Sequence, residues 1–516
     1  MSNEILRMQN ITKIYSNGFV ANKDITFGVE HGEIHALVGE NGAGKTTLMK
    51  ILFGMEKNEE GSIFIDGEEV HITSPLDSIA KGVGMVHQHF MLVPSLTVAE
   101  NVVLGVEPMK NNLFDFEEAV RTTQQIADKY NFNVDARSRV QDLSVGQMQK
   151  VEILKALIKG AKVLIMDEPT AVLTPQETRE LFEQLRILKA DGHSIIFISH
   201  KLEEVMEICN RVTVLRHGRC LGTHDIKDMT EAKISRLMVG RDVVLKMDKP
   251  FHERGEVALD LDKVVKLNSI GKPVLDGLSL KVRKGEIVGI AGVEGNGQSE
   301  LANAICGLEP HSAGRISING TNIEKKSIRQ IRELGLAMIS EDRMVYGVAP
   351  DRSIKENIMS DRYDKPEYKT GPFMNNKKIN KMVDECIKEF EIACDHRNQP
   401  VRMLSGGNIQ KVVVAREFTS GRNVVLAAQP TRGIDVGTAE MIRKYIIKMT
   451  RERDAAVLLI SADLNEVLEC SDRLLVMRSG KIVGAFSDAK SVTEDTLGEY
   501  MLGIKTMTDE ELEAAL

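Results

Sequence analysis

The sequence predicts an α/β protein made of two tandem nucleotide-binding cores, on three observations. Gly39 to Thr47 reads Gly-Glu-Asn-Gly-Ala-Gly-Lys-Thr-Thr, which meets the phosphate-loop template Gly-x-x-x-x-Gly-Lys-Ser/Thr at every fixed position. Val163–Met166 is an apolar run that ends in two acids, Asp167 and Glu168. Residues 254–505 then repeat the order of the first half, and a period this long marks duplicated domains, not a solenoid.

Each part of the loop has a physical reason. Glu33–Val38, just before it, is a short, mostly apolar run suited to a buried strand, and Thr47–Leu52 after it has helical spacing. Glycines let backbone N–H groups curl around phosphate oxygens, and the helix N-terminus that follows adds partial positive charge. Gly39, Glu40, Asn41, Gly42, Ala43 and Gly44 form the cradle, and Lys45 brings a full positive charge. Thr46 and Thr47 open the helix, with the Thr46 hydroxyl the candidate to sit on Mg2+.

Composition sets the bounds. At 516 residues the chain exceeds what one core usually holds. Charged residues at 28% and apolar ones at 42% are ordinary for a soluble globular protein. No apolar run approaches the roughly 18 residues that span a bilayer, and the opening residues lack the basic-then-apolar pattern of an export signal. A net charge of −8 argues against a general nucleic-acid binder. The six cysteines are scattered without a Cys-x-x-Cys pair, so reduced thiols are expected, not a disulfide or zinc framework. The 24 methionines read as adaptable core filler.

Taken in order, Ile11–Ile14 is strand-like and leads into Tyr15, which suits either a half-buried strand position or stacking on an adenine ring. Gly84–Val86 runs into His87, Gln88 and His89; the two histidines have no third ligand nearby and do not make a metal pair. Gln88, just past a strand end, can reach Mg2+ or an attacking water. Residues 96–160 are helix-rich, and Ser144 is a good N-cap for a helix with Met148, Val151, Leu154 and Leu157 on one face. Open α/β sheets gather their ligand chemistry at strand C-termini. There Asp167 suits the Mg2+ shell and Glu168 suits the base that orients or deprotonates water. A further strand, Ser194–Ser199, delivers His200, placed to hydrogen-bond a γ-phosphate.

The second half has lost this chemistry. Its loop reads Gly-Val-Glu-Gly-Asn-Gly-Gln-Ser from Gly292 to Ser299, so Gln298 stands where Lys45 does. Ala428 and Gln429 replace Asp167 and Glu168, Ala462 replaces His200, Asn268 falls at Tyr15 and Glu341 at Gln88. This half is therefore not expected to hydrolyse; its backbone loop and Ser299 are what remain for weak nucleotide binding. Ser405-Gly406-Gly407 is nonetheless clean. The few extra residues of this half are placed in the loop Asp361–Asn376.

Together the phosphate loop, Gln88, Ser144–Gln147, Asp167–Glu168 and His200 resemble the ATP-binding cassette ATPases in order and spacing, twice over nearly the whole chain. The resemblance implies the full fold class: α/β, two tandem ATP-binding cassette domains, each a P-loop NTPase core sheet with a helical subdomain and an antiparallel β subdomain. It implies a competent cassette at 1–245, a linker at 246–255 around Pro250 and Gly255, a degenerate cassette at 256–505 and an acidic tail at 506–516. ATP and Mg2+ are the implied ligands. Lys45, Gln88, Glu168 and His200 take catalytic roles, Thr46, Gln88 and Asp167 hold the metal, and Tyr15 lies on the base. Cassettes of this family sandwich ATP head to tail, which implies that Ser405, Gly406 and Gly407 complete the Lys45 site. Gln298 and Ser299 would pair with Ser144, Val145 and Gly146, a departure from the family's usual second glycine. Thr174 also departs, standing where the family ends this loop with aspartate; Asp435 keeps the acid in the second half.

A fused pair with a degenerate second half looks like the ATPases of simple-sugar and nucleoside importers. Met85–Pro94 and Ala427–Gly433 look more like the nucleoside branch. The resemblance implies a peripheral ATPase at the cytoplasmic face of the membrane. Its partners would be integral-membrane permease subunits docking around Gln88 and residues 90–140, and an extracytoplasmic solute-binding protein, with no nucleic acid. Rival readings are a soluble cassette pair acting on ribosomes or DNA, a nucleotide-sensing scaffold without turnover, and an exporter. The acidic balance and single dead site oppose the first, and an intact Glu168 opposes the second. Resemblance alone opposes the third.

Overall fold

The computed structural model describes residues 3–16, 18–87, 90–171, 173–240, 249–293 and 295–515. They divide into two units, 1–243 and 244–516. In the first, β1 (Glu4–Ile14) and β2 (Val20–Glu30) form a hairpin, and β3 (Ile34–Gly39) leads through the glycine loop into α1 (Lys45–Leu52). β4 (Glu60–Ile65) and β5 (Glu68–Val70) return to the hairpin, giving a four-stranded antiparallel sheet in the order β2-β1-β4-β5. After α2 (Pro75–Ala80) and β6 (Val83–Val86) comes a helical block. It comprises α3 (Val98–Val103), a ribbon of β7 (Met109–Lys110) and β8 (Leu113–Phe114), α4 (Phe116–Lys129) and α5 (Val145–Ile158). The chain then alternates through β9 (Val163–Asp167), α6 (Pro175–Ala190), β10 (Ser194–Ile198) and α7 (Leu202–Ile208). It finishes with β11 (Arg211–Arg216), β12 (Arg219–Asp225) and α8 (Glu231–Val239). The main sheet runs β12-β11-β3-β10-β9-β6, parallel except at β12.

Burial explains this order. β3, β6 and β10 are buried at every position and β9 at all but its last, as parallel strands covered on both faces must be. On one face Leu37, Ile165, Ile196 and Ile198 join Leu6, Ile25 and Phe27 of the antiparallel sheet and Leu48 and Leu52 of α1 in one core. On the other, Phe182 of α6 meets Phe197 edge-on at 6.1 Å. Across the sheet Asp167 lies opposite Ile198, and Ile34 opposite Ile195. The C-terminal ends of β3, β9 and β10 thus share one edge, where α/β sheets bind ligands.

The second unit repeats the plan. β13 (Val257–Leu267), β14 (Pro273–Arg283), β16 (Ala313–Ile318) and β17 (Thr321–Asn322) form its antiparallel sheet, with β15 (Ile287–Ala291) and α9 (Gln298–Cys306) between. α10 (Ile328–Glu333) and β18 (Leu336–Ile339) precede its helical block. That block holds α11 (Ile354–Met359), the ribbon β19 (Lys369–Thr370) and β20 (Phe373–Met374), α12 (Asn376–Glu389) and α13 (Gly406–Phe418). β21 (Val424–Ala428), α14 (Val436–Arg453), β22 (Ala456–Ile460), α15 (Leu464–Cys470), β23 (Arg473–Arg478), β24 (Lys481–Phe486) and α16 (Glu494–Leu502) follow. The main sheet runs β18-β21-β22-β15-β23-β24. Extra residues occur between α11 and α12, in the loop expected to hold them, but also earlier, where a helical turn at Arg343–Gly347 separates β18 from α11. Part of the expected linker is held on this unit: the Lys249 ammonium reaches Ser471 O, Arg451 Nε donates to Pro250 O at 2.8 Å, and His252 pairs with Asp454. The tail forms α17 (Asp509–Ala515), capped by Thr508, whose Met507, Leu512 and Ala515 pack on the core.

The strand that carries the loop is anchored by a buried charge cluster. The Glu33 carboxylate accepts hydrogen bonds from Glu30 N–H at 2.6 Å and from Arg211 at 2.7 and 2.9 Å. His35 Nδ1 lies 3.0 Å from it, and the far ring nitrogen contacts Thr213 Oγ1 at 2.8 Å. Burial pushes the Glu33 carboxyl up, but hydrogen bonds from His35 and Arg211 outweigh it and hold it at about 2. A carboxyl depressed in the folded state stabilises above its unfolded pKa of about 4.3, and that gain is lost as pH falls toward its folded value. Glu33→Gln is expected to cost about 1–3 kcal/mol at neutral pH, read by denaturant unfolding. The gap to the parent chain should close between about pH 4 and pH 2; a gap that stays constant would show that the ionised carboxylate is not its source.

Candidate functional site

The glycine loop is shaped by contacts from β2. Gly42 and Gly44 take φ of +83° and +101°. A Cβ on Gly44 would sit 2.4 Å from Asn22 Nδ2 and 2.5 Å from Ala21 O, so both the backbone angle and the space demand glycine. Asn22 is fully buried and its amide donates to Gly44 O at 3.1 Å. Gly39 is buried at the end of β3, Ala43 and Gly44 are buried under the loop, and Asn41 and Gly42 face solvent.

Lys45 folds back over this loop. Its ammonium donates to Gly39 O at 2.5 Å and Glu40 O at 3.1 Å, and the residue is only 8% exposed. Burial lowers its pKa, and the charges of Glu168, Asp167 and Glu40 oppose that. Thr46 is exposed at the start of α1. Tyr15 is brought to the loop as well: half-buried just past β1, its hydroxyl lies 3.4 Å from Thr47 Oγ1, with the Lys13 ammonium 5.5 Å from the ring centre.

The two acids face different surroundings. Burial and the charge of Glu168 push the Asp167 carboxyl up to about 6, against the pull of Lys45 and Lys50. Glu168 leaves the strand at φ +49°, its N–H donating to Ile198 O at 2.9 Å. Burial pushes its carboxyl up too, but a hydrogen bond to His200 and the charges of His200, Lys45 and Lys201 hold it below its ordinary value. His200 Nδ1 lies 3.2 Å from Glu168 Oε1, so the histidine expected at a phosphate contacts the expected base. Glu168 is thus ionised and oriented, the state a base or a water-positioning group needs. Asp167 is a hard oxygen donor short of positive charge, and with the exposed Thr46 hydroxyl it fits Mg2+, which takes one or two protein oxygens together with phosphate. Among the described residues no group of three or more His, Cys, Asp or Glu forms a metal cage of its own. Gln88 lies outside the described residues.

Two carboxylates that spacing does not flag complete the frame. Glu204 of α7 accepts from Thr170 Oγ1 at 2.6 Å and Ser199 Oγ at 3.1 Å, tying together the loops that carry Glu168 and His200. Glu177 caps α6 jointly with Thr174, and a Cβ on Gly146 would sit 2.5 Å from its carboxylate. In the second unit the Asp435 carboxylate has that relation to Gly407, at 2.8 Å. The acid absent at Thr174 is therefore supplied one helical turn later. No pattern in one half signals this, because Glu177 reads as an ordinary capping-box residue. Ser144 caps α5 as expected, and Ser405 caps α13 in the same way.

In the second unit the stripped positions bond within their own surroundings. The Gln298 amide donates to Val293 O at 3.1 Å, and Gln429, at φ +50°, accepts from Ala462 N–H at 3.1 Å. Ala428 offers no side-chain oxygen where Asp167 stands. Ser405, Gly406 and Gly407 sit at the N-terminus of α13 in this unit.

Among the described residues no helix is long and apolar enough to cross a membrane. A family model described as ABC transporter matches residues 22–171 and 275–432, one stretch in each unit. The guanosine import ATP-binding protein NupO of Bacillus subtilis (strain 168) is 44% identical over 97% of this chain and 97% of its own length. The nucleoside import ATP-binding protein NupA of Lactococcus lactis is 41% identical over 98% of this chain and 99% of its own. The glucose import ATP-binding protein TsgD13 of Haloferax volcanii is 42% identical over 93% and 92%. Both halves of the chain thus carry the same match, and it covers both glycine loops. The chain belongs to the ABC transporter family.

Proposed function

We propose that this chain is the ATPase of a membrane importer, that it turns over ATP at the first unit's loop, and that the imported solute is a nucleoside. The observation that carries turnover is the pair of a buried Lys45 and an ionised Glu168 held by His200. Loop N–H groups and Lys45 take the β- and γ-phosphates, and Asp167 and Thr46 hold Mg2+, which when bound shields the phosphate oxygens. Glu168 orients the attacking water, and His200 keeps Glu168 in place. Little covalent work falls to the protein; positioning and charge do most of it. Ser405, Gly406 and Gly407 serve the same turnover, so Ser405→Ala is expected to slow it with Lys45 intact.

Import requires permease subunits that this chain does not supply, with the chain peripheral on the cytoplasmic face and a solute-binding protein outside. Support for docking on the first unit comes from Met91, Val93, Leu104, Val106, Met109 and Leu113, large apolar residues left exposed after β6 and through the helical block, Leu113 at 73%. The nucleoside reading is supported by the guanosine and nucleoside relatives. A simple sugar is the second reading, favoured by the glucose relative.

Lys45→Ala or Glu168→Gln is expected to lower steady-state ATP hydrolysis by about 10²-fold or more; near-normal turnover in either variant would remove the first-unit assignment. Gln298→Lys is expected to leave the rate unchanged, because Ala428 and Gln429 still supply no carboxylate, and a doubled rate would contradict an inert second unit. Uptake of labelled ribonucleosides and simple sugars by the native cell, with parent and Lys45→Ala chains compared, separates the solute readings. Selective loss of nucleoside uptake is expected. Selective loss of a pentose or hexose would move the chain to the sugar reading, and no change in either would undo the importer assignment.

A further inference from the structure

The second unit keeps the backbone of a phosphate loop. Gly295 and Gly297 take φ of +88° and +106°, close to their counterparts Gly42 and Gly44. Gln298 opens α9 as Lys45 opens α1 and is as deeply buried, 9% exposed. Its amide holds the loop through Val293 O, a neutral version of the lysine's grip on Gly39 O and Glu40 O.

The cation position is different. Thr46 and Asp167 of the first unit correspond to Ser299 and Ala428. The Ser299 hydroxyl donates to Glu341 Oε2 at 2.9 Å, and the other oxygen of Glu341 is paired with the Arg432 guanidinium. Arg432 stands where the first unit has Ala171, so this positive charge has no counterpart there. Its backbone is fixed from below: Arg343 donates to Arg432 O at 2.9 Å and to Gly433 O at 3.3 Å. These residues do not fit a divalent cation. The Asp167 carboxylate has no counterpart, since Ala428 stands there, and the carboxylate that is present, Glu341 at the Gln88 position, is paired with the tethered guanidinium of Arg432.

Charge balance points the same way. In the first unit two carboxylates, Asp167 and Glu168, stand close to the loop lysine, so a polyphosphate needs a cation to enter. In the second, Gln298, Ala428 and Gln429 are neutral and Arg432 balances Glu341. A guanidinium can pair with phosphate oxygens through two parallel hydrogen bonds, and it cannot be removed by a chelator.

We propose that the second unit is a nucleotide site that works without a divalent cation, with Arg432 in the metal's place beside the Ser299 hydroxyl and a nucleoside polyphosphate as ligand. Equilibrium dialysis of labelled ATP against the full-length chain, in Mg2+ and in EDTA, tests this. The parent chain is expected to bind two ATP in Mg2+ and to keep one in EDTA. Arg432→Ala should weaken the EDTA-resistant ATP by roughly tenfold or more while leaving the Mg2+-dependent one, which controls for folding. Arg432→Lys, which keeps the charge but not the paired hydrogen bonds, should bind it more tightly than Arg432→Ala and less tightly than the parent, and Lys45→Ala should keep all of it. Release of both ATP on chelation would overturn the proposal. So would an EDTA-resistant ATP that survives Arg432→Ala, or one that disappears in Lys45→Ala.

Discussion

A polyphosphate brings several negative charges to whatever holds it, and the first unit meets it with one buried ammonium set beside two half-buried carboxylates. Everything around the loop serves that imbalance. Partly withdrawn from water, these charges act more strongly on one another, so their positions have to be fixed by the fold. Lys45 is fixed by carbonyls of its own loop, and the loop by Asn22 of the neighbouring strand. Glu168 is fixed by His200. Asp167 alone is left with its charge poorly compensated, which makes it the natural seat of a metal.

The sheet order turns this local chemistry into geometry. β3 lies between β10 and β11, which follow it far along the chain, so the loop after β3 opens at a point where connections leave in opposite directions. β9 reaches it across β10, and the register that sets Asp167 opposite Ile198 puts the acid at the same edge as Gly39. Glu168 then turns out of the strand through a left-handed residue whose N–H is satisfied by Ile198 O. Glu204 bonds to both loops beyond, the one that follows Glu168 and the one that leads into His200. A one-residue slip of β9 would send Asp167 to the opposite face and undo the site.

What was legible in the sequence is what local spacing controls. Loop glycines, Lys45, the acids after an apolar run and the serine caps obey rules of turn and helix geometry that need no distant partner. The duplication was legible for the same reason, and so were the losses at Gln298, Ala428 and Gln429, since a missing group shows against a template. Gains do not show in that way. Arg432 reads as a surface arginine until Glu341, ninety-one residues earlier, is seen to meet it. Asn22, Glu204 and Glu177 look like ordinary strand and helix residues, and their roles depend on contacts made only after folding. Tyr15 could be read two ways, and its contact with Thr47 brings it to the loop.

The second unit has not relaxed as a discarded site would. Gln429 holds φ at +50°, and its N–H bonds to Ile460 O at 2.7 Å, as Glu168 does to Ile198. A side-chain-bearing residue in that conformation costs about 1–2 kcal/mol, with no base left there to use it. Its amide still bridges the ends of two adjacent strands, reaching Ala462 N–H where Glu168 reaches His200. Gly297 likewise keeps a left-handed turn into α9 although no lysine follows. The left-handed glycines that shape a phosphate loop are thus kept where the lysine is not. As proposed above, the two units differ in what balances the phosphate charge: a bound cation in the first, and a tethered guanidinium in the second.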